Sequence, residues 1–219
     1  MPRIYISREE SQAAQLSEAL RSKGFLVDCQ SQIRREFINF TVDLNGIDWL
    51  FFSSPYAVES YFSQEKVSDI KIAALGSGTA RALEKYTQVH FTGEGSSTKE
   101  IGERFLQSIG KSRVLFPSPE KGLRAVQSLF PKEQFEELIC YRTMPAPKKI
   151  TEANAYVFSS PSNVHAFALE NSFPKEAEYF AFGPSTALAL EKYAMNKQEF
   201  IQSYEDEVLI QAIFSKFVS

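Results

Sequence analysis

The feature that most constrains this chain is an internal echo. Phe52-Ser53-Ser54-Pro55 and Val58 return as Phe158-Ser159-Ser160-Pro161 and Val164, an offset of 106 residues. A second pair follows in step: "KIAALGSGTARALEKY", 71 to 86, returns as "EYFAFGPSTALALEKY", 178 to 193, at an offset of 107. Gly76, Thr79, Ala80 and the string Ala82 to Tyr86 recur there as Gly183, Thr186, Ala187 and Ala189 to Tyr193. Two colinear matches at nearly one offset mark a duplicated unit, and 219 residues are enough for two small domains with a core each.

The unit itself reads as α/β. Short apolar runs alternate with amphipathic stretches of helical period, the pattern of parallel strands joined by helices. The pattern predicts strands near 2–6, 24–28, 48–53, 71–75, 88–91, 113–116, 134–140, 154–159, 178–182 and 198–202. Helices are expected near 9–22, 56–65, 78–86, 98–109, 119–129, 162–170, 185–194 and 206–217. The first copy continues through "VLFPSPEKGLRAVQSLFPKEQFEELICYRT", 114 to 143, whereas the second stops one helix after its third strand. Its missing strand-helix-strand segment stands at the other end of the chain, in "IYISREESQAAQLSEALRSKGFLVDCQSQ". One domain is therefore expected to be discontinuous, 1–34 with 148–219, and the other inserted, 36–143. The chain crosses between them near 35–44 and 141–150, two extended, β-branched or Pro-containing segments expected to pair as a weakly buried linker.

Each repeated corner carries a buried strand into Ser-Pro. Serine is a favoured N-cap and proline is pre-organised for the first helical position. Ser54-Pro55, Ser118-Pro119 and Ser160-Pro161 fit that reading, and Ser7 with Glu10 and Ser97 with Glu100 read as capping boxes. Plain capping accounts for such corners. A second reading accounts for their clustering: parallel strands bring their C-terminal ends to one edge, where helix N-termini offer free N–H groups and partial positive charge to an anion. Gly76-Ser77-Gly78-Thr79 and Gly183-Pro184-Ser185-Thr186 suit it, glycine allowing close backbone approach and the hydroxyls adding donors. Ser162, following Pro161, joins the same set. Two such edges facing across a cleft would make an anion-lined pocket.

Other chemistry is poorly represented. A net charge of −3 with no dense Lys/Arg block argues against nucleic-acid binding. No apolar run approaches the roughly 20 residues of a membrane span, and "MPRIYISREE" lacks a signal-peptide core, so no membrane partner and a cytoplasmic location are expected. Cys29 and Cys140 are far apart, each at the end of an apolar run, and read as buried, inert thiols. His90 and His165 have no evident partner for a metal site or a triad, and no phosphate-binding or dinucleotide fingerprint occurs. Tyr141 stands apart because it lies at the domain crossing, between "ELIC" and "RTMPAP". A phenol there is either a proton or hydrogen-bond donor to a leaving group or a structural anchor of the hinge.

With these motifs in hand, the chain resembles the uroporphyrinogen-III synthase family. "DWLFFSSPYAV", "AALGSGTARAL", "VLFPSPEKG", "CYRTMPAP", "YVFSSPSNV" and "FAFGPSTALAL" fall in that family's order and spacing over essentially the whole length. The resemblance implies two flavodoxin-like parallel-sheet domains joined by a two-stranded linker, a monomer, and no cofactor or metal. It implies closure of linear hydroxymethylbilane to uroporphyrinogen III with inversion of ring D and loss of water. Carried onto this chain, the family's binding residues fall at Ser54, Thr79, Ser160 and Thr186 with neighbouring amides, and its turnover tyrosine at Tyr141. "FSSP" replaces the commoner Phe-Thr-Ser-Pro form in both copies, and "GSGTA" is less typical than "GPSTA". The alternative from another class is a non-catalytic two-lobed anion or metabolite binding module using the same corners.

Overall fold

The computed structural model describes residues 1–67, 69–94, 97–193 and 206–217, with the backbone of 198–201. The elements run β1 (Arg3–Ile6), α1 (Glu10–Ser22), β2 (Leu26–Cys29), β3 (Ile33–Phe37), β4 (Trp49–Phe52), α2 (Pro55–Phe62), β5 (Lys71–Ala74) and α3 (Ser77–Leu83). They continue through β6 (Phe91–Thr92), α4 (Thr98–Ile109), β7 (Val114–Pro119), β8 (Phe135–Pro145), β9 (Ala155–Phe158) and α5 (Pro161–Phe167). The last are β10 (Glu178–Phe182), α6 (Pro184–Leu190), β11 (Gln198–Ile201) and α7 (Asp206–Phe217). The chain divides into two compact units: unit 1 is Met1–Arg34 with Met144–Ser219, and unit 2 is Arg35–Thr143.

Unit 1 holds a five-stranded sheet in the order β2-β1-β9-β10-β11, every pair parallel. In unit 2 the order β8-β7-β4-β5-β6 repeats that arrangement with its strands entered in a different chain order, again all parallel. The duplication is thus present in three dimensions as one flavodoxin-like sheet built twice, once from a split chain and once from a permuted one. β3 is the sixth strand of the second sheet, beside β8. It runs antiparallel to β8: the Ile38 N–H donates to the Cys140 carbonyl, and the Ala146 N–H donates to the Gln32 carbonyl, each at 2.8 Å.

Both faces of each sheet are covered, so the central strands β4 (WLFF) and β9 (AYVF) read as unbroken apolar runs. In β4, Leu50 and Phe52 face the core made with α2 and α3, while Phe51 and its neighbour Trp49 face Phe105 and Phe116. In β9, Tyr156 and Phe158 enter the core with Val164, Phe167 and Leu190, and Ala155 and Val157 join Leu16, Leu20, Leu209 and Ile213. The period of two thus sorts each strand between two helix layers.

Three local expectations are corrected. No α-helix forms over 119–129: β7 runs through Pro119, which pairs with Tyr141 after a register shift at Ser118, and only a short 3₁₀ turn follows at Gln127–Leu129. Ser118 is therefore a buried strand residue that accepts a hydrogen bond from Gln127 Nε2 at 3.2 Å, not a cap. Added ladder bonds to β8 outcompete a helix interrupted at Gly122. Ser7 is not a cap either. Helix α1 starts from Glu9 without a side-chain cap, and Ser7 Oγ instead accepts the Ser159 N–H at 2.9 Å. Finally, Cys29 is only half-buried, whereas Cys140 is buried, and both are free thiols.

Candidate functional site

The repeated corners lie at the C-terminal ends of the strands. In unit 2, Ser54 has extended backbone (φ −153°, ψ 151°), its Oγ accepts the Ala57 N–H at 3.2 Å, and Pro55 opens α2. The same Ser54 hydroxyl shares a hydrogen bond with the Tyr141 hydroxyl 3.2 Å away, in which either oxygen can donate. Tyr141 projects from β8 and is only 7% exposed. Its ring meets Tyr56 edge-on at 5.1 Å, and Tyr56 in turn lies under the Arg35 guanidinium at 5.2 Å and against Phe37 at 5.2 Å. Burial raises the Tyr141 phenol above its ordinary range, against the opposing pull of the Ser54 hydrogen bond and the Arg35 charge. Tyr141 is accordingly protonated at neutral pH, with the Ser54 hydroxyl beside its oxygen.

Helix α3 begins differently. Gly76 is its cap, and the Thr79 and Ala80 N–H groups both turn back to the Gly76 carbonyl. The N–H groups of Ser77 and Gly78 are left without a partner among the described residues, on an exposed stretch. Thr79 is only 5% exposed, so the backbone rather than its hydroxyl forms most of this surface.

In unit 1, Ser160 caps α5 by accepting from Asn163 N at 3.3 Å and Asn163 Nδ2 at 3.1 Å, with Pro161 first in the helix and Ser162 exposed. Asn163, 2% exposed, then uses Oδ1 to accept the Gln32 N–H at 2.8 Å, which ties the start of α5 to the chain leaving β2. Ser159 Oγ donates to the Ser7 carbonyl at 3.0 Å, so the ends of β1 and β9 are clasped from both sides. At the next corner Gly183 has φ 80° and ψ 161°, a combination essentially confined to glycine. Pro184 and Ser185 follow exposed, and Thr186 is buried. Pro55, Pro161 and Pro184 each remove an amide donor at the first helical position, so these three corners offer fewer free N–H groups than Ser77-Gly78.

Sequence reasoning overlooked several residues that these rims use. Asn163 and Tyr56 occupy repeat positions where the two copies differ, and Arg35 becomes relevant only by stacking on Tyr56. Arg8 lies outside the matched segments; its guanidinium sits 4.4 Å over the Phe182 ring and 3.6 Å from Asp206. His90 Nδ1 accepts the Ile72 N–H at 3.1 Å, and His165 Nδ1 lies 3.2 Å from the Tyr193 hydroxyl, so each histidine has a local partner. Among the described residues no group of three or more His, Cys, Asp or Glu is placed to hold a metal, and no helix is long and apolar enough to cross a membrane. Two surface hollows, about 700 Å³ beside Glu84, Tyr86 and Gln88 and about 140 Å³ beside Ile150, Tyr156 and Asn171, are lined by segments that lead into β6 and β9 rather than by the Ser-Pro corners.

Fold and rims together define a class: a duplicated, doubly wound α/β protein whose strand ends present capped helix starts and a buried tyrosine. A family model described as uroporphyrinogen-III synthase HemD matches residues 14–211, and the chain belongs to the uroporphyrinogen-III synthase family. Solved structures of the same fold include uroporphyrinogen-III synthetase from Helicobacter pylori, 18% identical, covering 99% of this chain and 100% of that one with a TM-score of 0.73. A mutant uroporphyrinogen III synthase from the extremely thermophilic bacterium Thermus thermophilus is 17% identical, covering 99% and 98% with a TM-score of 0.60. No curated protein sequence matches the chain.

Proposed function

We propose that this chain closes hydroxymethylbilane to uroporphyrinogen III, inverting ring D and releasing one water, as a lyase of tetrapyrrole biosynthesis. The observation that carries the reading is the family match across residues 14–211. The substrate bears carboxylates on every pyrrole ring, and the rims suit them: exposed N–H groups at Ser77 and Gly78, with the Ser54-Pro55, Gly76 to Thr79, Ser160 to Ser162 and Gly183 to Thr186 corners as substrate-binding segments.

The chemistry divides between positioning and one proton. Departure of the terminal hydroxyl breaks a C–O bond and needs a proton to leave as water, and the Tyr141 phenol, with Ser54 at its oxygen, supplies it. The azafulvene left behind is attacked by the substituted carbon of ring D, giving a spiro intermediate. That intermediate opens at the neighbouring methylene and recloses at the free position of the inverted ring, whose proton is then lost and balances the one supplied. Unassisted substrate cyclises without inversion, so rim contacts that hold one folded geometry account for the outcome. A monomer acting in the cytoplasm, without cofactor or metal, completes the proposal.

The test is direct. The purified chain is incubated with hydroxymethylbilane, the products are oxidised, and the uroporphyrin isomers are resolved. Type III is the expected product; type I alone, as in buffer, overturns the reading and favours a non-catalytic binder. Tyr141→Phe is expected to lower turnover with its fold intact, and unaltered turnover and isomer ratio would remove Tyr141 from the proton step.

A further inference from the structure

We infer that Arg8 is a charged ligand for a substrate carboxylate on the rim of unit 1, held across the sheet edge by Phe182 and Asp206. The inference rests on the proposed reaction and adds a fixed cation to a rim otherwise made of amides and hydroxyls.

Arg8 stands two residues beyond Ile6, the last residue of β1. Ile6 is in register with Val157 on β9, and Val157 with Phe180 on β10, and beyond Ile6 the chain turns, the Arg8 N–H donating to the Ile6 carbonyl at 2.8 Å. Two strand spacings separate β1 from β10, about 10 Å. The guanidinium lies 4.4 Å from the centre of the ring of Phe182, which precedes Gly183 and packs its side chain in the core that the sheet shares with α1 and α7.

Among the described residues the charged partner of Arg8 is Asp206. The approach to Asp206, the first residue of α7, is 3.6 Å, an ion pair longer than a hydrogen bond. Among the described residues the guanidinium makes no hydrogen bond, and the Arg8 side chain keeps 21% of its surface exposed. Burial works against the Arg8 charge, and Asp206 restores part of it. A planar fork fixed by an aromatic face, with several open N–H groups, matches a carboxylate bidentately.

Initial-rate measurements with hydroxymethylbilane on the full chain and on Arg8→Gln, Arg8→Lys and Asp206→Asn test this. Type III formation by the unaltered chain is scored first; its absence defeats the proposed reaction itself, whereas the Arg8 assignment is judged by the variants. Arg8→Gln is expected to raise KM by about tenfold to a hundredfold, with a smaller change in kcat. Arg8→Lys falls between, and Asp206→Asn leaves KM equal to or below that of the unaltered chain. Added salt, roughly 0.05 to 0.5 M, should raise KM more for the unaltered chain than for Arg8→Gln. A KM for Arg8→Gln within about twofold of the unaltered chain overturns the assignment. So do equal losses of melting temperature and equal KM changes in Arg8→Gln and Asp206→Asn, which would make the pair a latch for α7. If Arg8→Gln does not fold, Arg8→Lys decides: a raised KM at unchanged melting temperature supports the assignment, and an unchanged KM defeats it.

Discussion

Replacing Tyr61 by phenylalanine should stabilise unit 2. The Tyr61 side chain is 0% exposed in the core between Phe40, Phe52 and Phe62, and its hydroxyl has no hydrogen-bond partner among the described residues. The echo supplies an internal control, because the same position in the second copy, 106 residues on, is Phe167, also 0% exposed. An enclosed hydroxyl without a partner costs about 1–3 kcal/mol, and deleting one oxygen gives part of that back as lost contacts, so a net gain of about 1 kcal/mol is expected. For a unit of this size that is about 4 °C in unfolding temperature. The pH dependence provides a second reading. Burial, reinforced by Glu65, pushes the folded phenol from 10.0 up to about 12. The unfolded chain therefore releases this proton first, and the associated stability is complete below about pH 10 and lost as pH rises toward about 12. At pH 11, about one unit above the unfolded value, the advantage of Tyr61→Phe should widen by about 1.4 kcal/mol over its value at pH 7. Urea unfolding of both proteins at the two pH values measures both effects. A variant less stable by about 0.5 kcal/mol or more at pH 7, or one whose difference does not change with pH, would show that the hydroxyl is satisfied and the argument wrong.

Other perturbations address the rims. Ser54→Ala removes the α2 cap and the partner of the Tyr141 hydroxyl together; it should cost about 1 kcal/mol in urea unfolding and lower kcat, and unaltered turnover would separate Ser54 from the proton step. Asn163→Ala strands the buried Gln32 N–H and uncouples α5 from the chain leaving β2, at about 2–3 kcal/mol, with Asn163→Asp expected to retain part because it keeps the acceptor. A loss under about 0.5 kcal/mol would show that bond to be dispensable. Gly183→Ala forces a side chain into a conformation near φ 80°, ψ 161° and should cost about 1–3 kcal/mol by calorimetry, with impaired type III formation if the corner holds substrate.

Much of this molecule follows from local pattern. The apolar runs and helical periods place most elements, and the Ser-Pro corners identify the α2 and α5 starts because cap, proline and helix lie within four consecutive residues. The failures came where a distant partner decided. "PSPEKGLRAVQSLF" has the composition of a capped helix, yet pairing with β8 draws Ser118 and Pro119 into the ladder. Ser7 and Glu10 have capping-box spacing, yet Ser159 offers the Ser7 hydroxyl a better partner across the sheet. Thr79 and Thr186 carry the right hydroxyls at the repeated corners, and burial turns them largely inward.

By itself, then, the sequence determined a duplicated parallel α/β architecture and the corners where helices begin, because duplication, alternation and capping are written in residues close along the chain. Only the tertiary structure decided what the rims contain: Tyr141 against Ser54, 87 positions apart, Asn163 against Gln32, 131 apart, and Arg8 laid over Phe182. Those contacts depend on strand order and register, which bring remote residues within a few ångströms and leave no trace in local spacing.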